Sequence, residues 1–264
     1  TAFIATPQDT VKEVTFKDYF KKSQINLGVQ IKKIVDTPAL ALSNLNMHIN
    51  VRNGELILDP INAYLNGGNL KAKGSLKFDL SIPTLNTEMT IHNLQVGTLL
   101  RSSNLYRKVS APLEVKLNLS AAGNSISDMT SDLFGNVGFY LGAGKISNKL
   151  DATLGMDIGK LFWLSLRGDK NILIKCGKVD LKFKQGIGVS RSLWLNTAQT
   201  FIEGTGRIDL VQKDFNVVLN PQPKNPSIFT KNSSIHLSGT FSRPTYKLSQ
   251  TASKSFTDHE CNER

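Results

Sequence analysis

The chain is poor in the residues from which active sites are usually assembled. Two cysteines and four histidines are spread through 264 residues. There is no CxxC and no Cys/His cluster, and His48, His92, His236 and His259 lack ligand spacing, so neither a metal site nor a metal cofactor is expected. No G-x-S-x-G elbow, H-E-x-x-H pair or Walker loop occurs, and no local sequence brings two carboxylates together for acid–base work. An enzyme is therefore not expected. Gly204-Thr205-Gly206 comes nearest to a phosphate loop, but it lacks a third glycine and runs on through Arg207-Ile208-Asp209-Leu210, which reads as strand. Its glycines are read as relieving crowding on a sheet face. No run of eighteen apolar residues is present, so nothing here spans a bilayer as a helix. The chain opens at Thr1 with no visible signal peptide and reads as a segment of a longer protein.

The composition, 40% hydrophobic and 20% charged, is that of a folded protein. The net charge of +11 suits an anionic partner such as a phospholipid headgroup, lipopolysaccharide or nucleic acid, and equally suits lysines that protect sheet edges. Nucleic acid is disfavoured, because Phe78, Phe183, Phe215 and Phe241 lie on apolar faces rather than between exposed basic residues. Cys176 lies in an apolar run and reads as a buried small residue. A bond to Cys261 is open to it in an oxidising compartment, although the position of Cys261 in a polar tail weighs against one.

What the sequence has in quantity is period-two alternation. From Leu70 to Ile82 the residues Leu70, Ala72, Gly74, Leu76, Phe78, Leu80 and Ile82 share one face, with Lys71, Lys73 and Lys77 on the other. A strand of that length would reach roughly 40 Å. The pattern returns at Met47–Val51, Leu113–Leu119, Val179–Phe183, Ile202–Leu210, Phe215–Leu219 and Ile235–Phe241. Asn53-Gly54 and Gln185-Gly186 supply hairpin turns, and Asn220–Asn232 reads as a Pro-rich loop. Short helices are expected at Val96–Arg101 and at Ser127–Phe134, the latter capped by Ser127 and ended by Gly135, and a longer one at Asn148–Leu166. These elements predict a mainly β protein of long antiparallel strands. One β domain covers residues 1–248, with a helical insertion near 122–170, and a disordered polar tail occupies 249–264.

Several stretches, in order, resemble the C-terminal part of the AsmA family of bacterial envelope proteins. They are Phe16 to Pro60, with Asp18-Tyr-Phe, Ile25-Asn-Leu-Gly-Val-Gln-Ile, Leu42-Ser-Asn-Leu and Val51-Arg-Asn-Gly-Glu-Leu-Ile-Leu-Asp-Pro60, then Ile61-Asn-Ala-Tyr-Leu-Asn-Gly-Gly68, and Ser125 to Ile146 with its short helix and Gly-x-Ile turn. A fourth set comprises Ile174-Lys-Cys176, Phe183-Lys-Gln-Gly-Ile187, Leu195-Asn-Thr197, Ile202-Glu-Gly-Thr-Gly-Arg-Ile-Asp-Leu210, Leu219-Asn-Pro221 and Leu237-Ser-Gly-Thr-Phe-Ser-Arg-Pro244. The resemblance implies a curved, elongated sheet forming a groove, like that of the bridge-like lipid-transfer proteins. It also implies a periplasmic location, with the parent protein anchored to the inner membrane by an upstream transmembrane helix that this chain lacks. The implied function is movement of phospholipid between the inner and outer membranes, with envelope proteins as partners. Groove-lining candidates are Leu70, Leu76, Phe78, Leu80, Ile82, Leu113, Val115, Leu117, Phe183, Ile208, Phe215 and Val217. The alternative is a non-enzymatic assembly module for outer-membrane proteins, its apolar faces packed into a closed core and its loops or edge strands pairing with a partner.

Overall fold

A computed structural model describes residues 23–36, 41–78, 81–99, 109–146, 172–198, 200–224, 233–250 and Cys261. The first five long strands, β1 (Ile25–Asp36), β2 (Ala41–Arg52), β3 (Glu55–Leu65), β4 (Gly68–Lys77) and β5 (Thr84–Gln95), follow one another as antiparallel neighbours. After helix α1 (Val96–Leu99) come β6 (Val109–Ser110) and β7 (Pro112–Ala122), then helix α2 (Ile126–Ser131), β8 (Phe134–Leu141) and β9 (Gly144–Ile146). The remainder is β10 (Ile172–Lys184), β11 (Ile187–Thr197), β12 (Thr200–Asp209), β13 (Asp214–Pro223), β14 (Ser233–Thr240) and β15 (Arg243–Gln250). All belong to one 15-stranded antiparallel sheet whose order is nearly that of the sequence; only β6 and β9 lie off the main path. The sheet is curved and not closed.

Local chemistry explains the meander. Asn53-Gly54, Asn66-Gly67 and Gln185-Gly186 all have both residues at positive φ, the two-residue turn whose twist suits a hairpin. Register is corrected where the alternation would otherwise slip. In β3 the pairing shifts between Leu58 and Ile61, across the cis Asp59–Pro60 bond, so that Leu56, Leu58, Ile61, Ala63 and Leu65 stay on one face. Similar shifts occur in β5 between Ile91 and Leu94 and in β11 between Val189 and Trp194.

Several expectations need correction. The strand expected from Leu70 to Ile82 ends at Lys77; Ile82 lies in a bend before Pro83 and is 48% exposed. Leu80 and the helix expected at Asn148–Leu166 lie outside the described residues. The second short helix starts earlier than expected: Ser125, not Ser127, is its N-cap, accepting the Asp128 N–H at 3.1 Å, and Phe134 and Gly135 already belong to β8. At Val96–Arg101 the helix is described to Leu99. The Pro-rich loop begins later than expected, because β13 continues through Pro223. Its described pairing with β14 stops at Leu219↔Ile235, short of Pro221. Strand β15 runs to Gln250, and Cys261 is joined to Cys176 by a disulfide. Sequence position weighed against that bond; Cys261 nonetheless packs against the cluster of Cys176, Trp194 and Phe201.

Candidate functional site

Cα register partners in a sheet point their side chains to the same face, so rows of partners can be followed across the strands. One row runs Leu27, Ile49, Leu58, Gly74, Thr87, Leu119, Gly135, Phe183, Gly188, Ile208, Phe215, Gly239 and Pro244. It crosses every strand of the main path without one charged residue. A second row links Val29, Met47, Ile61, Ala72, Met89, Leu117, Val137 and Leu181. A third links Ala63, Leu70, Ile91, Val115, Phe139, Val179 and Leu193. At about 4.8 Å between strands the first row traces an apolar path of roughly 58 Å.

No second layer covers this path among the described residues: every substantial contact between strands joins neighbours in the sheet. Even so, Val51, Ala63, Ile91, Val115, Leu181 and Phe183 are buried. On a curved sheet, this burial fits the apolar face being the inner one. Small residues make the curvature feasible. The Phe183 ring lies over Gly188, and Leu193 and Leu219 close over Gly204. The glycines of Gly204-Thr205-Gly206 therefore relieve crowding, as read from the sequence.

The opposite row is polar: Lys73, Glu88, Asn118, Asn136, Lys182, Val189, Arg207, Asn216, Ser238 and Thr245. Ion pairs between strands and, for Lys116 with Glu114, along β7 knit it together. Lys73 meets Glu88 at 2.9 Å, Lys116 meets Glu114 at 2.8 Å, and Arg191 grips both oxygens of Asp180 at 2.8 and 3.0 Å. Lys73 titrates above its ordinary value, first because Glu88 accepts its hydrogen bond and then because of that carboxylate's charge. Lys73 and Lys77 are engaged with carboxylates outside the groove, which fits a solubilising role. A cleft of about 370 Å³ also opens on this outer face beside Gly138, between Glu114, Lys116, Tyr140, Lys178 and Asp180.

Most of the lining candidates fall on the inner face. Leu70, Leu76, Leu113, Val115, Leu117, Phe183, Ile208, Phe215 and Val217 all have apolar or glycine partners there. Phe78 continues the parity of β4 and is half-buried just past its end. Ile82 lies outside the strands. The candidates missed Met89, Ile91, Val137, Phe139, Leu193 and Leu237. Most of these carry the same signal: Leu85, Met89 and Ile91 alternate with Asn86, Glu88, Thr90 and His92, and Val137 and Phe139 alternate with Asn136, Gly138 and Tyr140.

A family model described as the AsmA family matches residues 5–193. The chain belongs to the AsmA family. Proteins of this family are envelope-associated. The match takes in the first three resembling stretches and leaves most of the fourth beyond its end. Among curated proteins, "AsmA family protein YhjG" of Escherichia coli (strain K12) is 22% identical over 213 residues, covering 81% of this chain and 31% of the relative. The chain thus spans about a third of that relative's length. No solved structure matches it.

Proposed function

We propose that this AsmA-family chain is a non-enzymatic envelope component that holds phospholipid acyl chains on its inner face and lets them move along it between the inner and outer membranes. The uncharged row crossing the whole sheet, with no protein layer over it among the described residues, carries this reading. Each Leu or Phe left in water costs about 1.5–3 kcal/mol relative to burial, so acyl chains are a favourable cover. Aliphatic walls offer no directional contacts, which suits sliding rather than lodging. The Cys176–Cys261 disulfide supports an oxidising compartment such as the periplasm, with inner-membrane anchoring left to the rest of the parent protein.

The test is to purify the chain from bacteria without detergent and analyse bound lipid by mass spectrometry, with photo-reactive residues at Leu76, Leu117 and, as an outer-face control, Lys71. Phospholipid should co-purify and crosslink from Leu76 and Leu117 but not from Lys71. Leu117→Asp, placed mid-row between Met89 and Val137, should reduce the bound lipid while β-sheet circular dichroism persists. A folded protein free of phospholipid, with no crosslinks from the inner positions, would sink the proposal.

A second reading rests on a different observation. Strands β1 and β15 end the sheet order, and Ile25, Leu27 and Ile31 on β1 are 40–49% exposed. A partner strand could add at such an edge, which is the assembly-module alternative. Under that reading the β1 edge binds a peptide and the inner face holds no lipid.

A further inference from the structure

The outer face of the sheet is polar over most of its width but carries one buried apolar cluster across β10, β11 and β12. Cys176, Trp194 and Phe201 are 1%, 3% and 1% exposed, yet they stand opposite the groove. Trp194 pairs with Lys178 and Glu203, and Cys176 and Phe201 both pair with Asn196. The Trp194 and Phe201 rings stack with centroids 6.3 Å apart. A convex face spreads its side chains apart, so curvature cannot bury these three; something must lie on them. Among the described residues, Tyr140 packs beside them and Cys261 lies on them. It packs against the cluster, is bonded to Cys176, and accepts a hydrogen bond from Tyr140 Oη on its carbonyl oxygen at 2.8 Å. Covalent, apolar and polar attachments converge on one residue, seated on side chains from β8, β10, β11 and β12.

We infer that this aromatic seat is a docking site for the chain's own Cys261, and that the Cys176–Cys261 bond is a redox-sensitive latch upon it. The step balances with a dithiol as reductant. One of its thiolates attacks Sγ of Cys261, the more accessible partner, and the Cys176–Cys261 bond breaks. Cys176 leaves as a thiolate and takes up a proton. The second thiol of the reductant then displaces Cys261 as a thiol, and the reductant departs as a cyclic disulfide carrying the lost electron pair's equivalent oxidation. The sheet has its own support, because β11 to β15 each pair with their sequence neighbours. Release therefore withdraws Cys261 from Trp194 and Phe201 and removes the carbonyl to which the Tyr140 hydroxyl donates. Tyr140 also walls the outer-face cleft, so the latch sets the shape of that cleft as well. This inference stands independently of lipid binding.

The experiment uses the full chain carrying Trp163→Phe, which leaves Trp194 as the single tryptophan. Dithiothreitol is added and then removed by oxidation, while Trp194 emission, acrylamide quenching, free thiols and far-ultraviolet circular dichroism are followed. Reduction should release two thiols, shift Trp194 emission to the red and raise its quenching, with sheet signal retained and the changes reversed on reoxidation. The Cys176→Ser/Cys261→Ser double variant should match the reduced state without reagent. Three outcomes overturn the inference: a bond that survives excess dithiol, a Trp194 environment unchanged after reduction, or loss of the sheet signal, which would make the bond a fold staple.

Discussion

Gly204 and Gly206 stand two residues apart on the inner face of β12, yet their surroundings predict different outcomes for one substitution. A Cβ at Gly204 would sit 2.7 Å from the Val218 carbonyl oxygen and 2.8 Å from Cδ2 of both Leu193 and Leu219. The leucine methyls can rotate away, but the carbonyl belongs to backbone fixed between β12 and β14 and cannot yield cheaply. Overpacking of this kind costs about 1–3 kcal/mol. At Gly206 the nearest atoms are Val217 Cγ2 at 3.2 Å and Leu193 Cδ1 at 3.6 Å, both ends of side chains that can give way. Alanine there also removes freedom from the unfolded chain, worth about 0.4–1 kcal/mol in favour of folding, which offsets the crowding. Gly204→Ala should therefore lose about 1–3 kcal/mol, and Gly206→Ala should stay within about 1 kcal/mol of the parent. Equilibrium urea unfolding followed by circular dichroism measures both, provided the slopes agree. Equal losses, or a greater loss at Gly206, would refute the crowding argument. A neutral Gly204→Ala would mean that the groove floor at β12 is looser than its side chains imply.

Two further predictions concern stability. The Asp209 carboxylate accepts the Gln212 and Val211 N–H groups at 2.9 and 3.0 Å and the Arg207 guanidinium at 2.8 Å. The Gln212 N–H first, then Arg207, holds its pKa below the usual carboxylate value. Its folded pKa being the lower one, its stabilisation is complete above the unfolded value near 3.9 and drains as pH falls through the folded value. The urea midpoint should accordingly fall more steeply between about pH 5 and pH 3 in the parent than in Asp209→Asn; parallel slopes would contradict the assignment. Phe201→Ala empties a fully buried outer-face position and should cost about 3–5 kcal/mol, whereas the half-exposed Val189→Ala should change stability by under about 0.5 kcal/mol. Similar losses at the two sites in the same urea assay would show that the aromatic cluster is not packed as described.

The sequence carried the secondary structure well wherever alternation was continuous. Strands β4, β7, β12 and β13 were legible because a side-chain period of two leaves an apolar stripe that no other regular structure produces. It overran at Ile82, because parity alone does not register the bend ahead of Pro83. It placed the second helix late because Ser125 and Ser127 are both acceptable caps, and only the pairing of Phe134 with Ser120 fixes where β8 begins.

By itself, then, the sequence determined that the strands have one apolar and one polar face, since that follows from composition at alternate positions. The tertiary structure decided what those faces become. Register joined stripes that are separate in sequence into one uncharged row from Leu27 to Pro244, and bulges kept the stripes in phase where counting by twos would have lost them. The meeting of Cys176 and Cys261, 85 residues apart, belongs to the same class of fact. Contacts between distant residues depend on how a sheet of many strands curves, a sum over all its pairings that no local window contains.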